Sequence, residues 1–295
     1  MKRLRRTMLF MPGNNPGMLQ NAGILGADSI ILDLEDAVSL TEKDSARILV
    51  RDAIKNVDYS DVEVVVRVNP MDTEFGATDV DVIARVKPDT LLVPKADEEQ
   101  IKFVDGMLAK IEHEEGFQVG SIKIIALIET AIGLETIYNV IKASNRIVGV
   151  LLGGEDLTSD LGIKRTKDGE EIFYARNKVA TVCRALKVDS IDTPFTDTND
   201  YEGLAKDTAK AKSLGFTGKS SINPRQIDII HSVYAPTQLE IKYAIRILDA
   251  KEEAEKEGKG VFSLDGKMID APVINRATTT VELGKMLGLI TSEVE

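Results

Sequence analysis

Ile122-Lys123-Ile124-Ile125-Ala126-Leu127-Ile128-Glu129-Thr130 is apolar almost throughout and then turns polar at its end. A half-exposed strand alternates apolar and polar residues, whereas a run that is apolar on both faces reads as a parallel strand covered on both sides. A short apolar, β-rich run, in several cases apolar almost throughout, recurs upstream at Thr7–Met11, Ser29–Leu34, Val62–Val68 and Thr90–Val93. Downstream it recurs at Ile147–Leu152, Val188–Ile191 and Gly215–Gly218, the last carried only by Phe216 and Thr217. Helical patterns lie between these runs. Asp97 is a good N-cap for a helix to Ile111, with Ile101, Val104, Leu108 and Ile111 on one stripe. Glu171–Lys187 carries Val179, Val182, Cys183 and Leu186 on one face. Eight strands alternating with helices predict an α/β fold, a (β/α)8 TIM barrel, with a doubly wound open sheet as the competing topology.

The alternation ends near Ala235-Pro236, which places a barrel domain over residues 1–235 and an extension over residues 236–295. The extension reads as helix, hairpin, helix. A helix runs from Pro236 to about Glu257, and Asp265-Gly266 is a two-residue hairpin signal between Val261–Leu264 and Lys267–Asp270. A last helix spans about Val273 to Leu289. So short a segment is expected to cap the barrel or a neighbouring subunit rather than stand alone.

Composition narrows the function. With 37 Lys+Arg against 48 Asp+Glu the 295-residue chain carries a formal charge of −11, which argues against a nucleic-acid surface. No apolar run reaches the ~18 residues of a membrane span. Only Met8–Met11 is apolar between the basic start and Pro12-Gly13, too short for a signal peptide. A single cysteine suits a reducing compartment, so a cytoplasmic location is expected. Two histidines and one cysteine do not make a typical zinc site.

In a parallel barrel the chemistry sits at the carboxyl ends of the strands. Glu129 and Asp156 follow consecutive runs, and two carboxylates without thiolate or imidazole suit Mg²⁺ or Mn²⁺ completed by water and substrate. Glu35 and Asp36, after the second run, are expected across the mouth, holding metal-bound waters. Arg67 ends the third run, where a planar guanidinium suits a substrate carboxylate. Lys95 and Lys219 are less specific cations, and a Schiff-base role is open to a barrel lysine. Gly215-Phe216-Thr217-Gly218-Lys219-Ser220 has the wrong spacing for a P-loop, and Gly153-Gly154 lacks the third glycine of a dinucleotide fingerprint. Cys183 is expected as inert core. His113 and His231 are expected to be structural, the latter with no acidic partner near it in the chain.

Several segments resemble the citrate lyase β-subunits, in order along the chain. They are Arg6-Thr7-Met8-Leu9-Phe10-Met11-Pro12-Gly13-Asn14-Asn15, Ile31–Val38, Arg67-Val68-Asn69, Ala126–Thr130, Gly153–Thr158, Ile191–Phe195, Gly218–Pro224 and Gly266–Pro272. The wider family holds acyl-thioester lyases, including malyl-coenzyme A lyases and malate synthase-like proteins. Many relatives in that wider family carry His where Asn223 stands, and Asn is the citrate lyase form.

The resemblance implies a Mg²⁺-dependent barrel that splits a citryl thioester into oxaloacetate and an acetyl thioester. The thioester would be carried on an acyl-carrier protein (γ) subunit, beside a transferase (α) subunit. A free-standing malyl- or citramalyl-coenzyme A lyase is the alternative. By the same resemblance Glu129 and Asp156 bind Mg²⁺, and Arg67 binds a carboxylate of the oxaloacetate part. Asp270 transfers the proton. Arg6, Asn14 and Lys219 contact the substrate or its pantetheine-type arm. The tail covers a neighbour's site in a homo-oligomer, commonly a trimer.

Overall fold

The apolar runs form eight parallel strands, each backed by helix, in a computed structural model that describes residues 3–290 except 257 and 259. The strands are β1 Thr7–Pro12, β2 Ser29–Asp33, β3 Glu63–Arg67, β4 Thr90–Val93, β5 Lys123–Ile128, β6 Ile147–Leu152, β7 Asp189–Asp192 and β8 Gly218–Ser221. Each pairs with the next, and β8 pairs back onto β1 through Thr7 opposite Lys219, so the sheet closes and the open-sheet alternative is excluded. The helices are α1 Pro16–Asn21, α2 Lys43–Asn56, α3 Gly76–Ala84, α4 Glu98–Glu114, α5 Ala131–Glu135 and α6 Ile137–Lys142. They continue as α7 Gly154–Asp160, α8 Phe173–Leu186, α9 Tyr201–Leu214 and α10 Ile227–Tyr234.

Strand periodicity explains why the runs are apolar on both faces. Met8, Ile31, Val65, Leu92, Ile125, Leu151 and Ile191 fill the barrel interior. Their neighbours Leu9, Ile30, Leu32, Val64 and Val66 pack outward with Val50, Ile83, Val104, Leu108, Val179 and Cys183 of the helices. Burial pushes the Cys183 thiol up to about 12, which leaves it a protonated core residue at neutral pH. Asp97 caps α4, its Oδ1 accepting from the Gln100 amide at 2.8 Å.

The eighth strand lies later than expected. Gly215 has φ +101° and is the left-handed cap that ends α9, so Gly215–Thr217 is a helix exit. Pairing begins at Gly218, where a Cβ would run into the Arg5 carbonyl, and continues through buried Lys219, Ser220 and Ser221.

The chain divides into two units, residues 1–231 and 232–295. The second contains α11 Gln238–Lys256, β9 Phe262–Leu264, β10 Lys267–Ile269 and α12 Ala271–Met286. Ala244, Ile247, Ile269, Ala277 and Val281 form its core. Its hairpin turns through Asp265 (φ +51°) and Gly266 (φ +74°), both in the left-handed region that a tight two-residue turn requires. Among the described residues no helix is long and apolar enough to cross a membrane.

Candidate active site

β5 ends at Ile128 and delivers Glu129 into the barrel mouth. Its side chain is buried, and Oε1 accepts from the Lys95 amide at 2.7 Å. Lys95 takes a left-handed φ of +46°, which belongs to the turn that presents this amide. β6 runs beside β5 and ends in Gly153-Gly154, where two glycines allow two close approaches. A Cβ at Gly153 would lie 2.6 Å from the Glu129 Cβ, and one at Gly154 would lie 2.7 Å from Thr193 Oγ1. α7 starts there, with exposed Asp156 in its first turn. Burial pushes the Glu129 carboxyl up to about 8, helped by the charges of Glu35 and Asp156 and opposed by the Lys95 amide and Arg67.

β2 supplies the second acidic wall. Glu35 is buried, and burial, with the charges of Asp36 and Asp33, pushes it up to about 7 against Arg67. Its Oε2 lies 2.9 Å from Arg67 Nη1 but lacks hydrogen-bonding geometry, so among the described residues this buried oxygen accepts no hydrogen bond. Asp36 is 65% exposed and 3.2 Å from the same nitrogen, so it can move without breaking the core.

Arg67 is more constrained than a free substrate fork. Its Nε and Nη2 grip Asp33 Oδ1 and Oδ2, both at 2.7 Å, and its guanidinium lies 5.0 Å from the centre of the Phe10 ring. Burial works against the charge, but the bonds to Asp33 and the nearby acids hold the guanidinium well above its ordinary value. Asp33 and Arg67 are opposed in the β2–β3 register, so an acid and an arginine at equivalent points of adjacent runs were the signal for this pair. Nη1 is the nitrogen left free of Asp33.

A cavity of about 370 Å³ opens over these groups. Arg67, Asp36, Glu129 and Asp156 line it together with Phe10, Leu127, Leu151, Thr193 and Ile222. Phe10 and Thr193 had no role in the sequence reading; both lie at carboxyl ends of strands, which is the positional signal for them.

Other expected contacts lie elsewhere. Arg6 enters β1 at the opposite end of the barrel, where Nε and Nη2 bond Asp28 at 2.8 and 2.7 Å, so it does not reach a ligand in the mouth. Lys219 sits inside β8 and is fully buried, with Nζ 2.6 Å from both Asp192 Oδ2 and Asp207 Oδ2 and 2.7 Å from the Thr193 carbonyl. Neither a substrate contact nor a Schiff base is open to an ammonium so enclosed. His231 does have an acidic neighbour: Asp28 Oδ1 is 3.5 Å from its Nε2, which also meets Thr7 Oγ1 at 2.8 Å. Burial and Arg6 lower its pKa, so it is a neutral structural group at the barrel base. Asn14 is in the loop after β1, at the mouth end, and donates to Glu42 at 2.8 Å outside the cavity lining. Asp270 belongs to the second unit, where its Oδ1 accepts from the Val273 amide at 3.2 Å and caps α12.

The donor set at the mouth is all oxygen. Among the described residues no three His, Cys, Asp or Glu side chains form a closed metal cage. Two or three carboxylates, with one oxygen lacking a hydrogen bond and two pKa values driven up, suit a hard divalent cation that keeps water or ligand in its remaining positions. The residues therefore fit such an ion.

Residues 6–224 match a family model described as HpcH/HpaI aldolase/citrate lyase. The chain is 44% identical to the citrate lyase subunit beta of Leuconostoc mesenteroides subsp. cremoris over 293 residues, 99% of this chain and 97% of that one. It is similar, with TM-score 0.80 and 28% identity, to protein CitE from Mycobacterium tuberculosis in complex with magnesium, acetoacetate and coenzyme A, covering 97% and 100% of the two chains. The citrate lyase beta subunit of the same organism, complexed with oxaloacetate and magnesium, matches with TM-score 0.66 and 29% identity over 79% and 98%.

Proposed function

This chain belongs to the HpcH/HpaI aldolase/citrate lyase family, and from that premise we propose that its barrel mouth cleaves a citryl thioester into oxaloacetate and an acetyl thioester, as the β-subunit of a citrate lyase. The observation that carries the reading is the convergence of Glu129, Asp156 and Asp36 on one cavity beside the Arg67 guanidinium, with the charge of buried Glu35 also acting on Glu129. Glu129 and Asp156 would hold Mg²⁺, and the nearby acids Glu35 and Asp36 could accept from its waters. Mg²⁺ when bound supplies a Lewis acid for the oxygens of an α-hydroxy or α-keto acid.

The chain's own groups do the rest. Arg67 Nη1 offsets a substrate carboxylate and fixes its orientation, while Asp33 keeps the guanidinium from turning away. Phe10, Leu127 and Leu151 give the cavity apolar walls that displace water and strengthen these polar contacts. Asp270 is the proton-transfer carboxylate, presented by the tail of a neighbouring copy in a homo-oligomer such as a trimer. Asn14 and the Gly13–Gly17 turn face the pantetheine-type arm. The partners are a thioester-bearing acyl-carrier protein and a transferase subunit, in the cytoplasm.

The test is turnover of citryl-acyl-carrier protein and citryl-coenzyme A against malyl- and citramalyl-coenzyme A, each with Mg²⁺ and with chelator. Chelator-sensitive preference for the citryl thioesters supports the reading. A strong preference for malyl- or citramalyl-coenzyme A overturns it in favour of a free-standing lyase.

A further inference from the structure

The four charges Arg176, Asp192, Asp207 and Lys219 lie buried behind the β7–β8 side of the mouth and do not themselves line the cavity. Arg176 Nε and Nη2 bond the two Asp192 oxygens at 2.9 Å, and Nη2 bonds Asp207 Oδ1 at 2.8 Å. Lys219 closes the ring onto Asp192 Oδ2 and Asp207 Oδ2. Two cations against two carboxylates balance, and the shared contacts leave little freedom. The cluster connects outward through the β7 backbone. The third bond of Lys219 goes to the Thr193 carbonyl, and Ser220 Oγ donates to the Asp192 carbonyl at 2.9 Å. The backbone at residues 192–193 is thereby held from two sides. Thr193 Oγ1 then accepts from the Gly154 amide at 3.0 Å, at the first residue of α7. Gly153, one residue earlier, rests on Glu129.

We propose that Thr193, locked by the buried Lys219–Asp192–Asp207–Arg176 cluster, is a positioning residue that fixes the start of α7 and hence the separation of Asp156 from Glu129. The proposal rests on the reading of those two acids as Mg²⁺ ligands. It gives the buried Lys219 a role: the lysine acts through Thr193 and the α7 N-terminus, without contact to substrate. The Gly153-Gly154 pair serves the same geometry, because a side chain at either position would push apart the groups that must converge.

The experiment is isothermal titration of the full-length chain with Mg²⁺ alone, on wild type, Thr193→Val, Thr193→Ser and Glu129→Gln, with thermal unfolding in chelator as a control. Removing an outer hydrogen bond to a metal-bearing element weakens affinity about tenfold, and Thr193→Ser, which keeps the hydroxyl, is expected within about twofold of wild type. Thr193→Val binding Mg²⁺ like wild type while Glu129→Gln binds none overturns the proposal and leaves the metal reading intact. Wild type binding no Mg²⁺ removes both. If Thr193→Val does not fold, Gly154→Ala probes the same contact from the other side. Weakened Mg²⁺ binding in that variant supports the proposal, and wild-type affinity refutes it.

Discussion

Glu129→Gln should make the chelated protein more stable at alkaline pH, although it removes a buried charge that the proposed reaction requires. Glu129 is pushed from an ordinary 4.5 to about 8 by burial and by Glu35 and Asp156. A carboxyl raised in the folded state favours folding while protonated. Its contribution is intact below the unfolded value and is lost as pH rises through the folded value. With about 1.4 kcal/mol per unit, ionising Glu129 costs the fold on the order of 4 kcal/mol at pH 8.5 and under about 1 kcal/mol near pH 5. Glutamine has no such titration, and its Oε1 can still accept from the Lys95 amide.

The expected result is equal stability at pH 5 and a higher melting temperature for the variant at pH 8.5, by roughly 10 °C at about 2–4 °C per kcal/mol. Scanning calorimetry in chelator at both pH values measures it. Adding Mg²⁺ narrows the difference, because a ligand at about 100 times its Kd stabilises wild type by about 2.7 kcal/mol and has no site in the variant. A variant less stable than wild type at pH 8.5 in chelator, or a difference that ignores pH, would refute the picture of an uncompensated buried carboxylate.

Lys219→Met should cost about 3–5 kcal/mol in urea unfolding, because Asp192 and Asp207 are left with one cation, and adding Asp207→Asn should recover much of that loss. Glu63→Gln at the barrel base should destabilise by about 1–3 kcal/mol at neutral pH, because part-buried Arg5 keeps only Asp189 of its two carboxylates, and Mg²⁺ should not rescue it. If Asp270 acts across a subunit boundary, inactive Asp270→Asn and Glu129→Gln proteins co-refolded at equal ratio should regain about a quarter of wild-type turnover, since half the barrels and half the tails are intact in a symmetric oligomer. No recovery would place Asp270 in its own subunit's site or outside the chemistry.

The barrel was legible because burial on two faces leaves a two-sided apolar run, and six of the runs carry one; β7 supplies only Ile191 among Asp189, Ser190 and Asp192. β8 broke the pattern. Its Lys219, Ser220 and Ser221 are buried with polar partners rather than apolar ones, so hydropathy placed the strand early, on the exit of α9. That displacement put Lys219 in a loop at the mouth when it lies inside a strand. The Arg6 assignment failed for a different reason: adjacency to a strand does not say which end of the barrel a residue occupies, and Arg6 precedes β1. Arg67, Glu129 and Asp156 were legible because each follows or ends its run, on the side where a parallel barrel opens. Their partners Asp33 and Thr193 were harder to see, since a side chain that serves another has no pattern of its own.

Glu63 and Glu129 show what separates the working end of this barrel from its base. Both carboxylates are nearly inaccessible, at 2% exposure, so burial alone raises both. Glu63 nonetheless ends below its ordinary value, because Arg5 grips it with Nε and Nη2 and Ser29 and Thr90 donate to it. Glu129 ends near 8, because it has one amide donor and two acidic neighbours. The base of the barrel thus pairs its buried charge fully and gains stability from it. The mouth gathers buried acids and leaves them short of cation, which destabilises the empty fold and makes binding of a divalent cation favourable. A count of charged residues does not distinguish the two ends. The balance of charge around each buried carboxylate does, and it is the mouth whose balance suits the proposed cation.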